Sequence, residues 1–213
     1  MRRNREKEQL YPGLYILGIT GGVGAGKSTV LSVLKEEYHA YIIQADEVGH
    51  RMRMPGCPCW KRMVEEFGEG ILNPDQTINA EAVSKLVFDD PDRLSRLNAA
   101  LHPLIREEIC RELKAYAESL PETRTGMAVL EAALLKEGGL SVFCDEIWYI
   151  RAPKEIRIAR LMESRGYSRE RCENIMSRQA GEQEFLREAD TVIENGGTPE
   201  QTKKQIRQAL AKV

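Results

Sequence analysis

Short apolar runs alternate along this chain with amphipathic stretches, and the alternation reads as strand then helix. The run Leu14-Tyr15-Ile16-Leu17-Gly18-Ile19-Thr20 ends in glycines, and Val30, Leu31, Val33, Leu34 and Tyr38 beyond it keep helical spacing. The first unit is therefore strand, loop, helix. Further buried-strand runs stand at 41–44, 127–130, 146–150 and 191–193, about five strands in all. Runs that are apolar on both faces predict a parallel sheet with helices on each side, an α/β fold.

The pattern changes between residues 46 and 125. No strand signal stands there, but several helical stretches do, one with Asp90 as N-cap and Pro91 as its first residue. This portion, about 47–124, is expected as a helical insert. A second helical excursion, rich in arginine, occupies about 153–187, and Thr198-Pro199-Glu200-Gln201 is a capping box that opens the last helix. Residues 1–213 thus read as one domain with a core of about 12–46, 125–152 and 188–213. Inserts at the carboxyl ends of parallel strands lie where ligands bind in such sheets.

Composition narrows the class. With 213 residues, 42% of them hydrophobic, the chain can bury a substantial core. The formal charge of -2 gives no bulk basic field, which argues against nucleic acid or an anionic membrane as partner and makes any anion site local. The five cysteines are odd in number and scattered, with only three histidines beside them, and read as reduced thiols in a cytoplasmic protein. Cys57-Pro58-Cys59 has the form of half a metal or redox pair, but no second pair follows at zinc-ligand spacing. Residues 1–9 are charged and lack the apolar run of a signal peptide, so they read as a frayed tail. No segment approaches the roughly 20 apolar residues of a membrane span.

The chemistry begins at Gly21-Gly22-Val23-Gly24-Ala25-Gly26-Lys27-Ser28, between the first strand and the first helix. Such a loop turns its backbone N–H groups inward on phosphate oxygens, which side chains would obstruct. Gly22, Val23, Gly24, Ala25, Gly26, Lys27, Ser28 and Thr29 are the expected ATP contacts. Lys27 would reach the β- and γ-phosphates, and the Ser28 hydroxyl would be a ligand of Mg²⁺. The loop alone does not separate kinases from GTPases, motors or nucleotide sensors. The absence of an Asn-Lys-x-Asp motif and the two helical inserts fit a small-molecule kinase better. The second strand ends in Gln44-Ala45-Asp46, which puts a carboxylate on the same sheet edge as the loop. Asp46 can take a proton from an acceptor hydroxyl, or cap the helix that follows.

From about residue 14 onward the sequence resembles the dephospho-CoA kinase family. The resemblance is carried by Gly-Ile-Thr-Gly-Gly-Val-Gly-Ala-Gly-Lys-Ser at 18–28, Ala45-Asp46 with His50, Pro55-Gly56, and Phe67-Gly68 with Ile71-Leu72-Asn73-Pro74-Asp75. It continues in Val87-Phe88, His102-Pro103-Leu104-Ile105-Arg106, Arg160-Leu161, Arg165, Gln179, and Ala189 through Gly196. It implies a P-loop kinase-like fold with a helical acceptor-binding insert and a helical lid. It also implies transfer of the ATP γ-phosphate to the 3′-hydroxyl of dephospho-CoA, with Mg²⁺. In that reading Asp46 is the general base at the acceptor, Lys27 and Arg160 are catalytic, and Arg165 and Asn195 join the ATP site. His102 and Arg106 then hold dephospho-CoA.

From the residues alone, Pro103 suits the first turn of a helix, with His102 at its start and Arg106 about one turn on. His102 may equally be read as a capping histidine, Arg106 as a solvated arginine, and Asn195-Gly196-Gly197 as a plain turn. Among Arg157, Arg160, Arg165, Arg169, Arg171 and Arg178, the family pattern falls on Arg160 and Arg165, and the others are expected as surface. The sequence departs from the family twice: Gln44 stands where an aspartate is common, and Leu130-Glu131-Ala132-Ala133-Leu134-Leu135 lacks a proline. Glu131 can hold a water on Mg²⁺ or cap a following helix. A kinase for another small alcohol, or a nucleotide-binding regulator without catalysis, are the alternatives.

Overall fold

The computed structural model describes residues 11–88, 90–121, 125–136 and 138–211. The charged stretch 1–9, read above as a tail, lies outside them. Five strands are present, β1 (Leu14–Thr20), β2 (Tyr41–Gln44), β3 (Gly126–Glu131), β4 (Glu146–Arg151) and β5 (Thr191–Glu194), in the order β2-β3-β1-β4-β5. β1 runs parallel to β3 and β4, and β4 to β5. The apolar runs located all five, but β3, β4 and β5 extend one residue further at their carboxyl ends. Those extra residues, Glu131, Arg151 and Glu194, are charged and so invisible to an apolar criterion, yet they still pair in the ladder: Ile19 opposite Glu131 and Arg151 opposite Glu194.

The helices are α1 (Lys27–Tyr38), α2 (Ala45–Met52), α3 (Pro58–Phe67), α4 (Ala80–Phe88), α5 (Pro91–Ser119), α6 (Lys154–Arg165), α7 (Arg169–Ser177), α8 (Glu182–Glu188) and α9 (Pro199–Leu210). None among the described residues is long and apolar enough to cross a membrane. Two compact units divide the chain, one of residues 1–42 and 116–213, the other of 43–115.

In the first unit, Leu17, Ile19, Val129, Trp148, Ile150 and Ile193 of the sheet pack with Val30, Val33 and Leu34 of α1 and Ile206 of α9. Ile16, Leu17 and Ile19 are all at 0% exposure, so β1 is covered on both faces. Burial of each such side chain contributes about 1.5–3 kcal/mol. The chain leaves β1 towards β2 and leaves β4 towards β5, in opposite directions from adjacent strands. A crevice opens at such a switch point, at the carboxyl ends. The predicted capping box is formed: Thr198 Oγ1 accepts from Gln201 N at 3.3 Å and Gln201 Oε1 from Thr198 N at 2.9 Å.

The second unit holds α2, α3, α4 and most of α5, with an isolated antiparallel bridge from Leu72 to Ile78. Asp90 caps α5, its Oδ1 accepting from Arg93 N at 3.0 Å. α2 is tied to α5 by the Arg51–Glu112 ion pair, with Val48, Met52, Leu101, Ile109 and Leu113 buried. Pro103 does not open a helix. It lies inside the 29 residues of α5, where the long apolar stripe carries the helix through a residue that has no N–H to donate.

Candidate active site

β1 delivers the glycine loop to the carboxyl edge of the sheet, and α1 begins at Lys27 itself. Its N-cap, Gly26, sits in the left-handed region at φ 85°, which a side chain would strain. No acidic residue stands in the first turn of α1, so its positive end is left for an anion. Ser28 and Thr29 are exposed there. Lys27 folds back over the loop: Nζ donates to the Gly21 carbonyl at 2.8 Å and stands 3.5 Å from Glu131 Oε1. Glu131 is 6% exposed at the end of β3. The alternative of a helix cap is removed, because the described residues from 132 to 140 hold no helix for it to cap.

Behind the loop stands a wall of polar side chains. Arg160 donates from Nη1 to Ala25 O at 3.2 Å and from Nη2 to Asn195 O at 2.8 Å. Asn195 is buried, and its Nδ2 donates to Ala25 O at 2.8 Å and Gly26 O at 3.2 Å, while its Oδ1 accepts from Thr202 Oγ1 at 2.9 Å. The amide expected at the ATP site is therefore turned onto the loop itself, whose outward carbonyls need donors. Nor is this a plain turn. Arg157, expected as surface, is half-buried and donates from Nε to Val23 O at 2.8 Å. Burial holds its guanidinium below the usual arginine range, with Tyr149 and Glu182 opposing that shift. Gln179 Oε1 accepts from Val23 N at 3.0 Å and from Arg157 Nη2 at 3.1 Å. Arg165, by contrast, is exposed at the end of α6, 6.0 Å from the Tyr167 ring.

In the helical unit, Gln44 occupies the N-cap of α2 with no side-chain capping bond, and Asp46 is the second residue of that helix. Asp46 is thus not the cap. It is exposed and lines an open pocket of about 450 Å³ with Glu47, His50 and Arg51. His102 and Arg106 lie one turn apart on α5, both exposed, and His102 is mid-helix rather than capping. Among the described residues no three His, Cys, Asp or Glu side chains gather to hold a metal, and none of the five cysteines is in a disulfide.

Arg157 and Thr202 escaped the sequence reading. One signal pointed to Arg157: it lies three residues before Arg160, hence on the same face of α6. Thr202 had none, since a threonine in a terminal helix is unremarked until its neighbour is known.

The dephospho-CoA kinase family matches residues 15–201. A dephospho-CoA kinase of Symbiobacterium thermophilum is 37% identical over 194 residues, covering 91% of this chain and 79% of the relative. One of Dehalococcoides mccartyi is 40% identical over 197 residues, covering 92% and 96%. Among solved structures, TT1252 from Thermus thermophilus is similar with a TM-score of 0.77 at 30% identity, over 93% of this chain and 97% of that one.

Proposed function

The chain belongs to the dephospho-CoA kinase family, and from that premise we propose that the residues around Lys27 and Asp46 carry the transfer of the ATP γ-phosphate to the 3′-hydroxyl of dephospho-CoA, giving coenzyme A and ADP. The observation that supports the donor half is the glycine loop at the head of α1, with Lys27 bonded to Gly21 and paired with Glu131.

In this reading the loop amides and the α1 N-terminus receive the triphosphate, and Lys27 neutralises charge on the transferring group. The acceptor oxygen forms a bond to the γ-phosphorus as the bond to the bridging oxygen of ADP breaks, and Asp46 takes the acceptor's proton. Arg160 and Asn195 act by fixing the carbonyls of Ala25 and Gly26, so that the amides keep their aim. His102 and Arg106 bind the acceptor within the helical unit, and 153–187 serves as the lid that excludes water. Arg165 remains the lid arginine assigned to ATP.

Mg²⁺ is the proposed metal. The residues fit it in one particular way: the exposed Ser28 hydroxyl and the buried Glu131 carboxylate are hard oxygen donors too few to form a cage, and Mg²⁺ takes its other ligands from phosphates and water. Once bound, it would supply charge neutralisation at the phosphates. We place the enzyme in the cytoplasm on its odd number of scattered cysteines, with ATP and dephospho-CoA as partners rather than nucleic acid or membrane.

The test is turnover by the purified chain with ATP and Mg²⁺. ADP release that requires dephospho-CoA, with a product bearing a new 3′-phosphate, is expected. Turnover stimulated by another alcohol and not by dephospho-CoA would overturn the acceptor.

A further inference from the structure

Val23 is held on three sides by the segment that follows β4. Its N–H donates to Gln179 Oε1 at 3.0 Å, its carbonyl accepts from Arg157 Nε at 2.8 Å, and its side chain packs on Ile158, Leu161 and Cys172. Arg157 Nη2 closes the ring by donating to the same Gln179 oxygen at 3.1 Å. We propose that Arg157 and Gln179 form a clamp on Val23 that holds the phosphate loop in its ATP-receiving shape, and that both are positioning residues for the nucleotide.

A phosphate loop works by aiming successive N–H groups inward, and this sends carbonyls outward. An outward carbonyl buried without a donor costs about 1–3 kcal/mol, which favours a relaxed loop over a receiving one. Arg157 removes that cost at Val23, as Arg160 and Asn195 do at Ala25 and Gly26. The side-on edge of a guanidinium, Nε with one Nη, is planar and rigid, so it serves the Val23 carbonyl and the Gln179 oxygen together. A lysine ammonium has no such edge.

The guanidinium also stands close behind Gly22. A Cβ on Gly22 would fall 2.4 Å from Arg157 Nη2 and 2.8 Å from its Cζ. A side chain at 22 would therefore displace the arginine's guanidinium end from the loop. Gln179 follows Arg157 by 22 residues, beyond α7, so a single loop residue gathers both ends of the α6–α7 segment. Occupation of the loop and the placement of this segment are thereby linked through Val23.

The clamp rests on the reading of residues 21–28 as a phosphate loop, and direct ATP binding tests the two separately. Calorimetric titration of the full chain with ATP and Mg²⁺ is compared across Arg157→Gln, Arg157→Lys, Gln179→Ala and the double variant Arg157→Gln/Gln179→Ala. The Kd for ATP is expected to rise about tenfold in each single variant, the scale of one lost charge-assisted hydrogen bond. The double variant should be no weaker than the weaker single, since the two residues act as a unit. Meanwhile KM for dephospho-CoA should stay within about twofold, which a general loss of structure would not allow. Wild-type affinity in Arg157→Lys would reduce the role to charge and overturn the clamp, as would additive effects in the double variant. Should Arg157→Gln fail to fold, Gln179→Ala decides alone: unchanged ATP affinity there overturns the proposal. Absence of ATP binding by the wild-type chain would overturn the phosphate-loop reading and the clamp together.

Discussion

Lys27 and Glu131 form an ion pair at the mouth of the phosphate loop, with Nζ 3.5 Å from Oε1 and only 20% and 8% of the two side chains exposed. The lysine proposed to meet phosphate is thus held by a carboxylate and by the Gly21 carbonyl. A buried pair of this kind is weak evidence for stability, because desolvation offsets most of the attraction, but loss of one partner leaves the other charge uncompensated. Its place beside the loop gives it a functional reading: Glu131 fixes where Lys27 waits.

Glu131→Gln keeps the shape and removes the charge. We expect kcat to fall about 10²-fold, the scale of one misplaced electrostatic group, and the Mg²⁺ concentration for half-maximal rate to rise. Steady-state kinetics with a Mg²⁺ titration measures both. Full activity in this variant would reduce the pair to a resting contact without a role in transfer.

The buried amide of Asn195 has both kinds of group in use, donating to Ala25 and Gly26 and accepting from Thr202. Asn195→Asp would set carboxylate oxygens against two carbonyls, and Thr202→Val would leave the amide oxygen without its donor. Each is expected to cost about 1–3 kcal/mol, read as a lower Tm. Asn195→Asp should in addition raise the KM for ATP. A Thr202→Val protein that melts with the wild type would show that the bridge contributes nothing.

How far the chain could be read without its structure depended on whether a residue's role is local. The strands were legible because burial on both faces writes an unbroken apolar run, and the loop because its spacing is itself the mechanism. Their charged ends were not, since the backbone ladder that takes in Glu131 and Arg151 asks for no apolar side chain there. Arg157 and Asn195 act on residues more than 130 positions away, and no local pattern reports such a partner. Pro103 misled because a proline's local preference for a first turn yielded to the packing of a 29-residue helix.

Asp46 stands exposed at the second position of α2, inside the helix from its N-cap position at Gln44. Asp46→Asn should therefore fold with unchanged Tm and bind ATP normally, while kcat falls by about 10²–10⁴, the contribution of a positioned general base. Nucleotide titration beside turnover separates the two effects. Undiminished kcat would remove Asp46 as the base and leave positioning as its contribution.

Pro103 lies inside α5 in the turn that carries the proposed acceptor residues His102 and Arg106. It cannot donate to the Ala99 carbonyl, a loss of about 3 kcal/mol in an unadapted helix, partly offset by the smaller entropy of its unfolded chain, about 0.4–1 kcal/mol. Pro103→Ala is therefore expected to be more stable by up to about 2 kcal/mol, which in a protein of this size raises Tm by several degrees. The same turn carries His102 and Arg106, and returning an N–H at 103 changes the hydrogen bonding of the backbone that holds them. The KM for dephospho-CoA should then rise while that for ATP holds. Thermal unfolding and two-substrate kinetics on the one variant check both signs. A lower Tm would mean that the helix has adapted fully to its proline, and an unchanged acceptor KM would free His102 and Arg106 from any dependence on Pro103.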